Sequence, residues 1–339
     1  MKKKIISMIT ALACAICAVG VMPAADNLVS ANITIENEKF KYGDYLEYQK
    51  IELNYGISGI MISGCDKSVK SVEIPAEIDN SPVIWIGDSA FSDCLLLKDI
   101  SIPDSVTTIE YSAFSGCEKL VAINVSSDNY NYTSINGVLF TKDETELEKY
   151  PAGRSETMYT IPDSVMHIEP NAFSGCRNLS NINIPDSVTN IAYGTFSGCL
   201  SLSDINIPDS VIGIGDEAFS GCTSLSGIDI PEGVVSIGNN AFSGCTNLSS
   251  IDIPEGVNYI ENNAFSGCLL LEDVSIPDSV YSIGNEAFSE CTSLSSIDIP
   301  NGVIEIRDSV LNYFVDKIYV YDDKITVTGC FSGEPTEIC

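Results

Sequence analysis

Cysteine is the residue type with the most obvious chemical potential, since eight of the 13 cysteines recur at one position of a repeated sequence. A thiol can pair in a disulfide, bind a metal ion or pack as a small apolar side chain. One thiol per repeat, three residues after a Phe, does not give the converging ligands that a metal requires. The pattern favours a buried ladder of free thiols over disulfides at Cys94, Cys117, Cys176, Cys199, Cys222, Cys245, Cys268 and Cys291. Cys65 lies outside this ladder, and a Cys330–Cys339 link stays open.

Catalytic chemistry has few candidates. His167 is the single histidine, and no G-x-S-x-G, phosphate-binding loop, H-E-x-x-H or calcium-loop pattern accompanies it. The sequence therefore predicts a surface role for His167, no catalytic residues and no dedicated metal site. The sequence therefore indicates a protein that is not an enzyme.

Carboxylates form two repeated columns. One flanks the Ile-x-Ile segments at Asp204, Asp229, Asp252, Asp273 and Asp298, and the other follows each repeat proline at Asp104, Asp163, Asp186, Asp209, Glu232, Glu255 and Asp278. Calcium takes oxygen ligands and could bridge such groups, whereas a plain solvated sheet face needs no cation. Both interpretations stay open, and calcium is the one cofactor that the sequence suggests.

The overall charge excludes two classes of partner. The chain has 47 acidic and 17 basic residues, for a net charge of −30. Nucleic acid and anionic membranes would be repelled. No second apolar run after the N-terminal one is long enough to span a bilayer.

A repeat explains how these residues are positioned. Ile-Pro dipeptides place prolines every 23 residues from Pro162 to Pro300, and the unit reads IPxxVxxIxxxAFSGCxxLxxIx. Ala218, Phe219, Cys222 and Leu225 have the spacing of a short helix, with Asp216 (Asn239 in the next repeat) at its N-cap. Ile228 to Ile230 alternates like a strand. One unit cannot offset its own conformational entropy, so stacking is required.

The unit with AFSGC and a period of 23 resembles the BspA-like leucine-rich-repeat family of bacterial surface proteins, over residues 74–308. The resemblance implies a leucine-rich-repeat solenoid and a role at the cell surface or in adhesion. Together with the spacing it predicts an α/β repeat solenoid, with short strands and a short helix in each turn and caps at both ends.

Several segments fall outside the regular repeat. Residues 1–25 have the order of a signal peptide, with cleavage as late as residue 31, which predicts a secreted or cell-surface protein. We expect N-terminal cap strands at 32–73, the solenoid at 74–302 and a C-terminal cap at 303–339. An insertion at about 125–160 has two predicted strands, at 138–141 and 146–150, and reads more readily as a degenerate repeat than as a binding loop.

Two positions between the Val and the Ile of each unit vary while the framework stays nearly fixed. They carry large apolar residues, which either anchor a partner or pack between neighbouring coils. The predicted function is non-catalytic binding or adhesion by a monomer to an extracellular protein or polysaccharide. The alternative is a passive or calcium-dependent structural component of the cell surface without a specific ligand. The predicted binding stripe consists of Trp85, Met166, Ile212, Val235, Tyr259 and Tyr281.

Overall fold

The computed structural model describes residues 34–53 and 57–303, and the backbone of strands at 305–306, 317–320 and 326–327. The predicted signal peptide, most of the predicted C-terminal cap and the Cys330–Cys339 pair lie outside the described residues. Contacts group the chain into two compact units, Met1–Glu144 and Thr145–Cys339.

The first unit contains twelve described strands and two kinds of strand pairing. The strands are β1 Thr34–Ile35, β2 Phe40–Tyr42, β3 Leu46–Leu53, β4 Ile57–Cys65, β5 Ser71–Glu73, β6 Glu77–Ile78, β7 Ser81–Ile86, β8 Asp99–Ile102, β9 Thr108–Ile109, β10 Ala122–Val125, β11 Tyr132–Ile135 and β12 Val138–Thr141. The early strands pair antiparallel, β1 and β2 with β3 and β3 with β4. After β4 most pairs are parallel, β4 with β7 and β7 with β9, and β5, β8 and β10 form a second parallel sheet. The short strand β6 pairs antiparallel with β7.

A hairpin follows the first regular repeats in this unit. Strands β11 and β12 pair antiparallel across Asn136 and Gly137, whose φ angles of 52° and 83° are those of a two-residue turn with both central residues left-handed. The buried Asn129 amide donates to the carbonyls of Pro103 and Val106 at 2.8 and 2.9 Å. This side chain therefore satisfies carbonyls that the irregular sequence would otherwise leave unpaired.

The second unit contains sixteen strands, most of them two to four residues long. They are β13 Glu146–Lys149, β14 Met158–Thr160, β15 His167–Ile168, β16 Asn181–Asn183, β17 Asn190–Ile191, β18 Asp204–Asn206, β19 Gly213–Ile214, β20 Ser236–Ile237, β21 Ser250–Asp252, β22 Tyr259–Ile260, β23 Asp273–Ser275, β24 Ser282–Ile283, β25 Ser296–Ile299, β26 Glu305–Ile306, β27 Lys317–Val320 and β28 Thr326–Val327. Both strands predicted in the insertion, β12 and β13, are present.

Each 23-residue repeat makes one coil of a parallel stack. Strands β17, β19, β20, β22, β24, β26 and β28 form one parallel sheet, in which Ile191 lies opposite Ile214 and Ile214 opposite Ile237. Most Ile-x-Ile segments pair on another side, for example Ile182 with Ile205. The strand predicted at Ile228 to Ile230 is absent, so the prediction was wrong for that segment. Partners are 23 residues apart, so the sequence period is the structural period and the solenoid prediction is confirmed.

The predicted short helix is wrong. Within the described residues every regular element is a strand, and AFSGC forms turns. The amides of Phe219 and Gly221 donate to carbonyls of the next coil, Ala241 and Ser243, at 2.7 Å each, rather than to carbonyls four residues earlier. Gly221 (φ 71°) and Glu217 (φ 57°) are left-handed, which a right-handed helix does not accommodate. The fold class of the described residues is therefore an all-strand repeat solenoid instead of α/β.

The predicted helix N-cap residues have a different function. The Asp216 carboxylate accepts the backbone amide of Asn239 at 2.7 Å, and the Asn262 amide donates to Asn239 Oδ1 at 2.8 Å. Asn262 Oδ1 in turn accepts the amide of Asn285 at 2.8 Å. These side chains bind the next coil rather than the start of a helix, and so they form a hydrogen-bonded ladder along the stack.

The core is a row of aromatic rings beside a row of thiols. Successive rings from Phe219 to Phe288 lie 5.2–5.3 Å apart and within 5° of parallel. The eight ladder cysteines are buried free thiols, as predicted. Burial raises the pKa of Cys222 and of Cys291 to about 12, so these thiols stay protonated at neutral pH.

Candidate binding surface

The predicted binding stripe lies where each coil turns between two buried residues. The Val after Ile-Pro and the following Ile are both buried, as at Val211 and Ile214. The two residues between them lie at the corner where the chain enters the short parallel strand. Their amides hold the corners together, as Val235 N donates to Ile212 O at 3.1 Å. Backbone geometry is thus fixed while the side chains are free to vary.

Five predicted stripe residues of the second unit have large exposed fractions. Met166, Ile212, Val235, Tyr259 and Tyr281 are 51, 54, 47, 44 and 46 % exposed. The rings of Tyr259 and Tyr281 meet edge to face at 6.1 Å between centroids. We call these five residues the variable stripe. An apolar side chain half in water gains free energy when a partner covers it.

Trp85 differs from the variable stripe. It lies on β7 in the first unit, where its side chain is half-buried and its indole Nε1 donates to Glu110 Oε1 at 3.2 Å. In the parallel pairing of β7 with β9, Trp85 lies opposite Thr108. Part of this ring is therefore packed between coils, which is the alternative that the sequence left open.

The predicted acidic residues of the Ile-x-Ile segments are all exposed: Asp204, Asp229, Asp252, Asp273 and Asp298. Their register separates several charges, since Asp273 lies opposite Ser250 and Asp252 opposite Ser275. Asp204 accepts a hydrogen bond from the Asn181 amide at 2.9 Å. Serine and asparagine neighbours thus reduce the repulsion that a continuous column of acids would create.

Both acidic columns meet in one groove of the second unit. The groove has a volume of about 560 Å³ and is lined by Asp229, Glu232, Asp252, Glu255 and Asp278 together with Pro254 and Pro277. Among the residues that the structure describes, no three His, Cys, Asp or Glu side chains converge to hold a metal ion. Any cation there would be attracted by the summed charge rather than by a preformed ligand set.

His167 is exposed on β15, as the sequence predicted. Other exposed apolar residues were missed by sequence reasoning. Tyr130 and Met158 are 86 and 67 % exposed, and Leu200, Leu269 and Leu270 follow ladder cysteines on the surface. The signal for the leucines was available, because the two positions after each repeat cysteine also vary.

A comparison with known protein families identifies the family of this chain. The profile described as the BspA type leucine rich repeat region matches in six copies, over residues 61–156, 151–270 and 213–328. The chain belongs to the BspA-type leucine-rich-repeat family. The resemblance drawn from AFSGC and the 23-residue period is therefore confirmed.

Two solved structures share the fold. A leucine-rich repeat protein from Eubacterium ventriosum is 23 % identical, with a TM-score of 0.55 over 81 % of this chain and 94 % of that one. The pneumococcal vaccine antigen PcpA is 18 % identical, with a TM-score of 0.50 over 86 % of this chain and 95 % of that one. At sequence identities this low, the similarity shows a shared fold and nothing more.

A search of curated proteins found no match. In the part of the chain that the structure describes, no helix has the length and apolar character needed to cross a membrane.

Proposed function

We propose that this BspA-type protein is a non-catalytic binding protein that holds another protein against the variable stripe. The observation that carries the proposal is the exposure of five large apolar side chains at one corner of the stack, on five of six consecutive coils. The predicted signal peptide supports action outside the cell or at its surface.

The energetics of the variable stripe suit a protein partner. Full burial of a large apolar side chain contributes about 1.5–3 kcal/mol, so half-exposed side chains still offer about half of that each. Tyr259 and Tyr281 add rings that lose little conformational entropy when a partner covers them. The scaffold is fixed by hydrogen bonds between coils, for example Tyr281 N to Asn258 O at 2.7 Å, so binding need not order the backbone.

The test is a binding array of extracellular matrix proteins, mucins and polysaccharides, probed with the secreted chain at physiological salt. We expect saturable binding to a protein. The triple variant Ile212→Ser, Tyr259→Ser and Tyr281→Ser should weaken that binding at least tenfold.

A matched control replaces three exposed leucines away from the variable stripe, with Leu200→Ser, Leu269→Ser and Leu270→Ser. This variant should bind as the parent does, and both variants should keep the parent melting temperature within a few degrees. Unchanged binding by the stripe variant would refute the assignment of the surface. Binding to polysaccharides alone would refute a protein partner.

The second candidate is a cation-dependent structural component of the cell surface without a specific ligand. The observation that favours it is the groove that five acidic residues, from Asp229 to Asp278, line. Its test is whether calcium raises the melting temperature more than sodium chloride of equal ionic strength does.

A further inference from the structure

Apolar and acidic side chains are neighbours on three consecutive coils of the second unit. These coils carry three exposed residues of the variable stripe, namely Val235, Tyr259 and Tyr281. The groove shared by the two acidic columns, which we call the acidic groove, is lined on the same coils by Glu232, Glu255 and Asp278. A partner that covers the stripe on these coils therefore also meets the acids.

A tight turn fixes each acid relative to the stripe. Val257 N donates to Pro254 O at 3.0 Å, which closes a four-residue turn with Glu255 at its second position. The same hydrogen bond closes the turns that begin at Pro231 and Pro277, at 3.0 and 3.1 Å. On each coil the acid precedes the stripe residue by only three or four positions. Backbone geometry thus holds both kinds of side chain in one place.

The solenoid around the groove supplies no positive charge. Residues 178–303 contain 16 Asp and Glu residues and no Lys, Arg or His, whereas residues 32–144 contain eight Lys. The stretch that carries the groove therefore has no counter-charge of its own. A partner that brings positive charge to this surface is attracted, and one that brings negative charge is repelled.

The groove suits long basic side chains. Its acids belong to successive coils, whose core rings are 5.2–5.3 Å apart, so an ammonium or guanidinium between two coils can donate to carboxylates of both. Pro254, Ile276 and Pro277 are partly exposed in the groove, and the aliphatic stem of Lys or Arg packs on such surfaces. The exposed rings of Tyr259 and Tyr281 also attract cations to their faces.

We propose that the partner held against the variable stripe is a basic protein segment, whose Lys or Arg side chains enter the acidic groove while its apolar side chains cover Val235, Tyr259 and Tyr281. This inference rests on the proposed function, because it names the class of partner for the same surface. The charges select the partner, and the apolar contacts keep it bound where salt screens the charges. Both sets of contacts are required.

The first test compares three short fluorescent peptides, in which Lys alternates with Leu, Lys with Ser, or Glu with Leu. Fluorescence anisotropy with the full secreted chain at about 0.15 M salt measures their binding. We expect the Lys–Leu peptide to bind at least tenfold more tightly than either of the others. Equal binding of the Lys–Ser peptide would reduce the surface to charge alone, and equal binding of the Glu–Leu peptide would reduce it to apolar contact alone. Either result overturns the proposal, as does the absence of saturable binding by the Lys–Leu peptide.

The second test removes three charges from the groove, with Glu232→Gln, Glu255→Gln and Asp278→Asn in one variant. This groove variant should bind the Lys–Leu peptide at least tenfold more weakly than the parent. The matched control removes three charges from exposed acids that do not line the groove, with Glu272→Gln, Glu286→Gln and Glu290→Gln, and should bind as the parent does. Equal losses in the two variants would mean that net charge alone attracts the peptide, which overturns the proposal. The peptide comparison on the parent chain decides the matter even if a variant fails to fold.

The groove variant on the binding array separates failure of this inference from failure of the proposed function. If a captured protein is lost by the stripe variant but kept by the groove variant, the proposed function stands and the basic partner is wrong. If the groove variant alone loses it, or neither variant does, both proposals are wrong. Loss of a basic protein by both variants supports both.

Discussion

The sulfur of Cys245 lies 3.2 Å from the carbonyl oxygen of Phe219, one coil earlier in the stack. That carbonyl also accepts the amide of Cys222 at 3.1 Å. A cysteine at this position therefore fills apolar space beside the rings and donates a weak hydrogen bond between coils. The thiol ladder has a structural function that neither a disulfide nor a metal site would explain.

Removal of one ladder thiol should destabilise the solenoid. For Cys245→Ala we expect the free energy of unfolding to fall by about 1–3 kcal/mol, because a small cavity replaces the sulfur and a carbonyl loses one donor. Denaturation in guanidinium chloride, followed by circular dichroism, measures the change. Stability equal to that of the parent would show that the thiol hydrogen bond and its packing contribute nothing.

Gly256 lies at the start of one coil, where we expect any side chain to destabilise the stack. A Cβ at Gly256 would lie 2.2 Å from the Glu232 carbonyl oxygen and 3.0 Å from that of Val234, and both are backbone atoms of the previous coil. We expect Gly256→Ala to cost about 1–3 kcal/mol of stability, because the two coils must separate to admit the methyl group.

Gly227→Ala is the matched control for Gly256→Ala. A Cβ at Gly227 meets nothing within 4 Å, so this variant should be as stable as the parent or slightly more stable. Thermal unfolding of both variants side by side is the measurement. Equal effects at the two positions would contradict the close approach of the coils at Gly256.

The acidic groove should make stability depend on salt. Glu255→Gln removes one of the five negative charges that line the groove, so we expect this variant to exceed the parent in stability by up to about 1 kcal/mol at about 0.01 M salt. The difference should shrink at about 0.15 M salt, where screening is stronger. Asp273→Asn is the control, since Asp273 lies opposite Ser250 rather than another acid.

Melting the same proteins with calcium and with a chelator separates the two candidate functions. We expect calcium to raise the melting temperature no more than an equal ionic strength of sodium chloride does. A larger rise in the parent that disappears in Glu255→Gln would favour the cation-dependent structural function, because a ligand that binds only the native state stabilises it.

Sequence reasoning was most accurate where side chains alone carry the information. The 23-residue period predicted which Val, Ile, Phe and Cys are buried, whereas the variable positions left open whether Ile212 and Tyr281 are exposed or packed between coils. The predicted helix was wrong, because a series of turns buries Ala218 and Leu225 just as one face of a helix would. That the variable stripe binds a partner remains a prediction.

The sequence by itself determined the period, the inward and outward positions and the membership of the family, since each depends on residue types repeated within the chain. Tertiary structure alone decided the path of AFSGC, where Phe219 N finds its acceptor 22 residues away at Ala241 rather than in its own turn. It also decided which acids share a groove. These outcomes depend on the distance between neighbouring coils, which a repeat pattern does not specify.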